Sequence, residues 1–143
     1  QMDSHGAVNV SKFGKANPGA GGFIDIAHNA KRLIFTGTFT TGGLKLGFEN
    51  NALQILSEGK VRKLAKTAED ITYPVFEGVR ERGQTALLIT ERAVFNITAD
   101  GYELIEIAPG VDLQKDVLGQ MDFAPIRIAD PLPLMAAQLF AKD

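Results

Sequence analysis

The residues between 86 and 107 restrict the fold more than any others. Ala86-Leu87-Leu88-Ile89-Thr90, Ala93-Val94-Phe95-Asn96-Ile97 and Tyr102-Glu103-Leu104-Ile105-Glu106-Ile107 are rich in β-branched and aromatic side chains. Such runs predict strands, because branched and flat side chains pack well on a pleated, half-buried surface. Asp100-Gly101 separates the last two and predicts a hairpin turn. The chain is committed to a sheet here, and the remaining residues must fit around it.

A second strong signal lies near the start. Asn17-Pro18-Gly19-Ala20-Gly21-Gly22 is a glycine-dense loop that runs straight into a helical pattern. Phe23, Ile26, Ala27 and Ala30 fall at i, i+3, i+4 and i+7, one face of a helix, with Asp25, Asn29 and Arg32 opposite. Lys31-Arg32 would sit in its last turn, where cations suit the carbonyl end. Leu33-Ile34-Phe35-Thr36-Gly37-Thr38-Phe39 then predicts a buried strand. A helix followed promptly by a buried strand predicts an α/β layer.

The other segments fill in around these. Val8 and Val10 alternate with polar neighbours as a weak strand, and Leu44 to Phe48 alternates after the Gly42-Gly43 turn. Residues 51–72 fit strands, punctuated by Asn50-Asn51 and Glu58-Gly59 at hairpin distances, better than a helix. Val75 to Gly83, with Glu77, Arg80, Glu81 and Arg82, has the charge of a surface connection. Asp112 can cap a helix whose Leu113, Val117, Leu118 and Met121 share a face. Asp130 and Pro131 can open a last helix with Leu132, Met135, Ala136, Leu139 and Phe140 as its apolar stripe. The 143 residues fit a single α/β domain spanning residues 1–143, large enough to bury about two thirds of its unfolded surface.

Composition narrows the function classes. A formal charge of −2 leaves no electrostatic footprint for nucleic acid. No apolar run approaches the roughly 20 residues that span a bilayer, and no signal peptide is visible, so a cytoplasmic protein without a membrane partner is expected. The absence of cysteine removes disulfides, thiolate metal sites and thiol nucleophiles together. The opening Gln1-Met2-Asp3-Ser4-His5-Gly6 moves almost at once into a strand and reads as the start of a fragment from a longer chain.

The glycine loop offers unpaired backbone N–H groups at a helix start, which suits a phosphate, a carboxylate or the oxyanion of an acyl-transfer step. Glycines at 19, 21 and 22 let a ligand approach the backbone closely. A P-loop would need Lys-Ser or Lys-Thr after the glycines, and Phe23 follows Gly22 instead. A dinucleotide fingerprint would need glycine where Ile24 stands. The plain alternative is a tight turn before a helix packed against a strand. His5 and His28 have no metal-pair spacing, and no nucleophile elbow surrounds Ser4, Ser11 or Ser57. Glu91 is the most conspicuous carboxylate, and pairing with Arg92 or a lysine is its simplest role. Lys45 and Lys60 read as solvated lysines unless a phosphorylated ligand reaches them.

Several stretches together resemble the family I coenzyme A-transferases. Asp3-Ser4-His5-Gly6-Ala7-Val8-Asn9-Val10-Ser11-Lys12-Phe13-Gly14 is similar to their D..GNVNVS.FG segment, and Gly19-Ala20-Gly21-Gly22-Phe23-Ile24-Asp25 to their G-x-G-G-x-x-D loop and helix. Ile89-Thr90-Glu91-Arg92-Ala93-Val94-Phe95 resembles their ITE.AVF strand, and Ile107 to Asp112 with Met121 to Pro125 resembles their closing part. Phe35 to Lys45 resembles the single-chain branch acting on acetate, propionate and short 3-oxo acids.

The resemblance implies an open α/β/α sheet, this chain being the C-terminal part of the second CoA-transferase half. It implies a glutamate nucleophile in an E-x-G-x-x-G-like motif, which attacks an acyl-CoA and then carries CoA as a thioester. That motif is not in this chain, so no catalytic residue and no metal site is expected here, and the isolated fragment is expected to be inactive. Gly19, Ala20, Gly21, Gly22 and Lys45 are the implied oxyanion- and CoA-binding residues. Coenzyme A is implied as substrate and covalent intermediate rather than a resident cofactor. Acyl-CoA and short carboxylic acids are the implied partners, with a homo-oligomeric parent. The competing readings are a non-catalytic acyl-CoA- or anion-binding domain and an acyl-CoA hydrolase on the same scaffold.

Overall fold

The computed structural model describes residues 1–141. In chain order its elements are β1 (Met2–Asp3), β2 (Ala7–Val8), α1 (Phe23–Asn29), β3 (Arg32–Thr36), β4 (Thr40–Thr41), β5 (Lys45–Glu49), β6 (Ala52–Ser57), β7 (Val61–Arg62), β8 (Leu64–Ala65) and β9 (Tyr73–Pro74). They continue with α2 (Val75–Arg82), β10 (Thr85–Ile89), β11 (Ala93–Ile97), β12 (Tyr102–Ile107) and β13 (Arg127–Ile128).

The expected strands at 86–107 form the centre of an open five-stranded sheet in the order β13-β12-β11-β10-β3. β10, β11 and β12 run antiparallel as a meander, whereas β3 joins β10 in parallel and β13 joins β12 in parallel. A smaller sheet, β8-β1-β2-β9, packs beside it, and β5–β6 and β4–β7 form separate two-stranded ribbons. The α/β class is as expected. The main core lies between the sheets and α2, where Phe95, Tyr102, Leu104, Val75 and Val117 are fully buried. Rings of Phe76, Phe95 and Phe123 surround Tyr102 at centroid distances of 5.1–6.4 Å. A second cluster, Leu53, Val94, Ala108, Met135 and Phe140, lies under the β5–β6 ribbon.

The 51–72 region is built of strands, and Asn50 and Asn51 turn β5 into β6 with φ of 52° and 56°. Asparagine is among the few non-glycine residues that enter the left-handed region readily. Glu58-Gly59 does not close a hairpin, because β6 pairs with β5 and β7 with β4.

Other expectations need correction. Residues 75–82 form α2 rather than a surface connection. Val75 and Phe76 are buried and Val79 packs on the same cluster, while Glu77, Arg80 and Glu81 are exposed and Arg82 folds back over the buried Tyr73 ring, donating to its hydroxyl at 2.9 Å. Gly83, at φ 63°, ends α2 in the left-handed conformation with its N–H on the Gly78 carbonyl. α1 stops at Asn29, so Lys31 lies past its last turn and Arg32 begins β3. Ala27 faces the core, but Ile26 is 70% exposed, so the apolar stripe is narrower than its spacing implied. β3 is shorter than expected and is an edge strand with Ile34 open to solvent, not a buried one.

Past Asp112, whose Oδ1 accepts the Lys115 N–H at 2.7 Å, the chain makes a π-type turn at Leu113–Val117 and a 3-10 turn at Leu118–Gln120 rather than an α-helix. The expected last helix does not form. Pro133 has no N–H to give a helix, and its carbonyl accepts the Ile107 N–H at 3.1 Å. Met135 N–H returns to the Ile107 carbonyl at 2.9 Å, so this segment lies along β12, and only Ala137–Phe140 makes a 3-10 turn.

Candidate active site

The loop from Ser11 to Gly22 is anchored at its base. Asn9 is fully buried, and its side-chain oxygen accepts the N–H groups of Ser11 and Lys12 at 3.2 and 3.1 Å. Its amide nitrogen donates to the Lys12 carbonyl at 2.7 Å. An Asx-type turn of this kind fixes the direction in which the loop leaves β2. Thr72 Oγ1 accepts the Val10 N–H at 3.0 Å, and Phe13 and Ala16 exchange backbone hydrogen bonds.

Gly19 and Gly21 then take φ of 79° and 55°, which L side chains rarely adopt. A Cβ built on either meets nothing within 4 Å, so the backbone there borders open space. The Ala20 carbonyl accepts the Phe23 N–H and the Gly22 carbonyl accepts the Ile26 N–H, both at 3.1 Å. Among the described residues, nothing accepts from the N–H groups of Gly21, Gly22, Ile24 or Asp25. These N–H groups have no acceptor among those residues, and free donors at a helix start are what an anion or a developing oxyanion needs.

Lys45 is on a different element from the glycine loop. It is exposed at the start of β5, and no hydrogen bond ties it to the glycine loop. His5 and His28 are both exposed, and no group of three or more metal-ligating side chains occurs among the described residues. No helix among those residues is long and apolar enough to cross a membrane.

Beside the loop, a cavity of about 450 Å³ opens where β3 and β10 end, facing β2, β7 and β8. Phe13 of the loop reaches its lining, and Phe23 of α1 stacks obliquely at 6.4 Å on Phe35, another lining residue. The segment Thr36-Gly37-Thr38-Phe39 forms one wall.

That wall is held by a charge cluster that the sequence shows only in outline. Arg92 is fully buried. Its Nη1 and Nη2 donate to the two Glu58 oxygens at 2.7 and 3.2 Å, its Nε to Glu91 at 2.7 Å, and Nη1 also to the Asp116 carbonyl at 3.0 Å. The guanidinium lies 5.1 Å from the Phe39 ring centroid. Glu91 uses its other oxygen to accept the Phe39 N–H at 2.8 Å, so its role is the pairing with Arg92 that its position suggested. Thr40 Oγ1 donates to Glu58, and the Gly59 N–H donates to both. Burial pushes the Glu58 carboxyl up, but its hydrogen bonds to Arg92, Thr40 and Gly59 outweigh this and hold it below the usual carboxylate range. Burial likewise opposes the Arg92 charge, and Glu58 and Glu91 raise its pKa overall. Sequence reading missed Glu58 because it stands beside a glycine in an apparent turn. A glutamate ahead of Thr40's ribbon partner is legible only once β4 and β7 are seen to pair.

No family model matches the chain. It is 49% identical over 142 residues to the acetate CoA-transferase YdiF of Escherichia coli strain K12, covering 98% of this chain and 26% of that protein. It is 41% identical to the caffeate CoA-transferase of Acetobacterium woodii, covering 99% of this chain and 28% of that one. The chain therefore spans about a quarter of the length of these curated relatives. Its fold matches the crystal structure of the acyl-CoA transferase YdiF from Escherichia coli O157:H7 in thioester complex with CoA. The TM-score is 0.93 at 48% identity, over 99% of this chain and 27% of that one.

Proposed function

We propose, for a chain that is homologous over nearly its whole length to a segment of the CoA-transferases, that it is the C-terminal part of a cytoplasmic acyl-CoA:carboxylate CoA-transferase. The observation that carries this reading is the glycine loop: open, left-handed and rich in free N–H groups, within a sequence 49% identical to a CoA-transferase. The substrates in this reading are a short-chain acyl-CoA and a short acid such as acetate, propionate or a 3-oxo acid. CoA serves as substrate and intermediate, and the parent assembles as a homo-oligomer.

The reaction follows from the chemistry of the two carboxylates. A glutamate outside this chain attacks the thioester carbon, and CoA leaves as the thiolate from an acyl–glutamyl anhydride. The thiolate then attacks the glutamyl carbonyl, releasing the first acid and leaving CoA on the glutamate. A second acid takes CoA by the same steps reversed. Each attack puts negative charge on a carbonyl oxygen, and in this reading the Gly21 and Gly22 N–H groups, which have no acceptor among the described residues, receive it. They are held by the backbone and reorganise little as charge develops. Lys45 in this reading meets the CoA portion, away from the reacting atoms.

Gly22→Val in the polypeptide carrying this chain tests the assignment. Gly22 has φ −82° and room for a Cβ, with Ile26 Cδ1 at 4.0 Å, so the fold tolerates the change while a ligand's approach does not. Turnover should fall about a hundredfold, the effect of one oxyanion donor that the side chain keeps the ligand from reaching, with unchanged melting. Normal turnover would refute the role given to the loop.

A further inference from the structure

The cavity at the ends of β3 and β10 has features that the glycine loop does not share. These strands run parallel, and open α/β sheets take ligands in the crevice beyond the carboxyl ends of parallel strands. Its volume of about 450 Å³ is that of a small-molecule site. Val10, Phe35, Phe39 and Leu88 make the walls apolar. The Lys63 side chain lies on the lining: its Nζ donates to Thr38 Oγ1 at 2.8 Å and stands 3.7 Å from the point where a Cβ on Gly37 would lie.

The lining carries three other charged groups, and the Gln1 ammonium among them donates to the Asn9 carbonyl at 3.1 Å. Arg62 pairs with Asp122 at 2.7 Å, and Glu69 accepts the Gly14 N–H. Among the described residues Lys63 has no carboxylate partner, although it is only half-exposed. An ammonium at the edge of an apolar cavity, bonded to a neutral hydroxyl, keeps donors with which it can make a charge-assisted hydrogen bond to a carboxylate.

We propose that this cavity binds a monocarboxylate larger than acetate, with Lys63 as the counter-ion of its carboxylate and Phe35, Phe39 and Leu88 against its carbon chain. A two-carbon acid would leave these walls uncovered, whereas an aryl or longer alkyl chain gains from every apolar surface it removes from water. The proposal rests on the transferase reading only in naming this acid as a substrate. The binding itself does not depend on turnover.

Calorimetric titration of cinnamate and acetate into the full polypeptide carrying this chain tests it. Cinnamate should bind more tightly than acetate. Lys63→Met, which keeps the aliphatic stem, should weaken cinnamate at least about tenfold, the worth of one charged hydrogen bond, and Lys63→Arg should restore most of it. Val61→Trp provides a second variant that leaves the core alone: Val61 is 53% exposed on the lining, and the indole would fill the mouth and block binding. If cinnamate does not bind, or binds equally well to Lys63→Met and Val61→Trp, the site is wrong. Lys63-dependent binding without any CoA transfer would leave the site standing and remove the transferase reading. Transfer with an acid KM untouched by Lys63→Met would do the reverse.

Discussion

Arg92→Met removes the charge at the centre of the buried cluster and keeps much of the side-chain volume. The guanidinium's bonds to Glu58, Glu91 and the Asp116 carbonyl are all lost together. Glu58 and Glu91 are then left with hydroxyl and N–H donors but no cation. Breaking a buried ion pair by deleting one partner costs about 3–5 kcal/mol. The Glu58 and Glu91 side chains keep 27% and 14% of their exposure, so water can partly solvate them, and the lower end, about 3 kcal/mol, is expected. Urea unfolding at neutral pH measures it. A loss under about 1 kcal/mol would place the cluster with solvent-exposed ion pairs and refute the argument. Acid gives an independent check. Glu58 titrates lower in the folded chain than in the unfolded one, so its contribution is full above the ordinary carboxylate value. It is lost as pH falls from that value through the depressed one, where the unfolded chain binds more protons. Without Arg92 that depression shrinks, and the gap between wild type and variant should narrow on acidification.

Two further substitutions probe the frame around the site. Gly6→Ala puts a Cβ 2.3 Å from the Phe76 ring at a φ of 80°, and overpacking plus left-handed strain should destabilise by about 3 kcal/mol in thermal melting. Gln84→Leu strips a buried amide that donates to the Ala27 and Ala30 carbonyls at 2.8 and 2.6 Å and accepts from the Tyr73 hydroxyl. The carbonyl end of α1 loses its cap, and hydrogen exchange in α1 should quicken in step with about 1–3 kcal/mol of lost local stability.

What could be read in advance follows from where the stabilising contacts lie. The meander was plain because each strand's side chains and turn residues agree locally, and the Asn50-Asn51 turn for the same reason. The glycine loop was plain because its positive φ values admit almost nothing else. α2 was hidden because Glu77, Arg80, Glu81 and Arg82 outnumber the side chains that decide its packing. The segment at Pro131–Phe140 carried a helical stripe, yet backbone bonds to Ile107 claimed it. The cavity and Lys63 were invisible. They depend on β3 meeting β10 and on the small sheet closing over both, and no local pattern encodes such distant pairings.

Those pairings also set the order in which the molecule can assemble. The β10–β11–β12 meander joins neighbours through short turns and needs little chain entropy to close. β3 meets β10 only after the chain from Arg32 to Thr85 has looped back, and β1 meets β8 only by spanning Asp3 to Ala65. The Tyr102 hydroxyl reaches the Asp3 carbonyl across 99 residues. Contacts of such separation are slow to form, because the loop must be closed before they stabilise anything. The glycine loop hangs between two long-range closures, β2 on β9 before it and β3 on β10 after it. Its donors take their fixed aim only once both closures are made, whereas the meander can form without either.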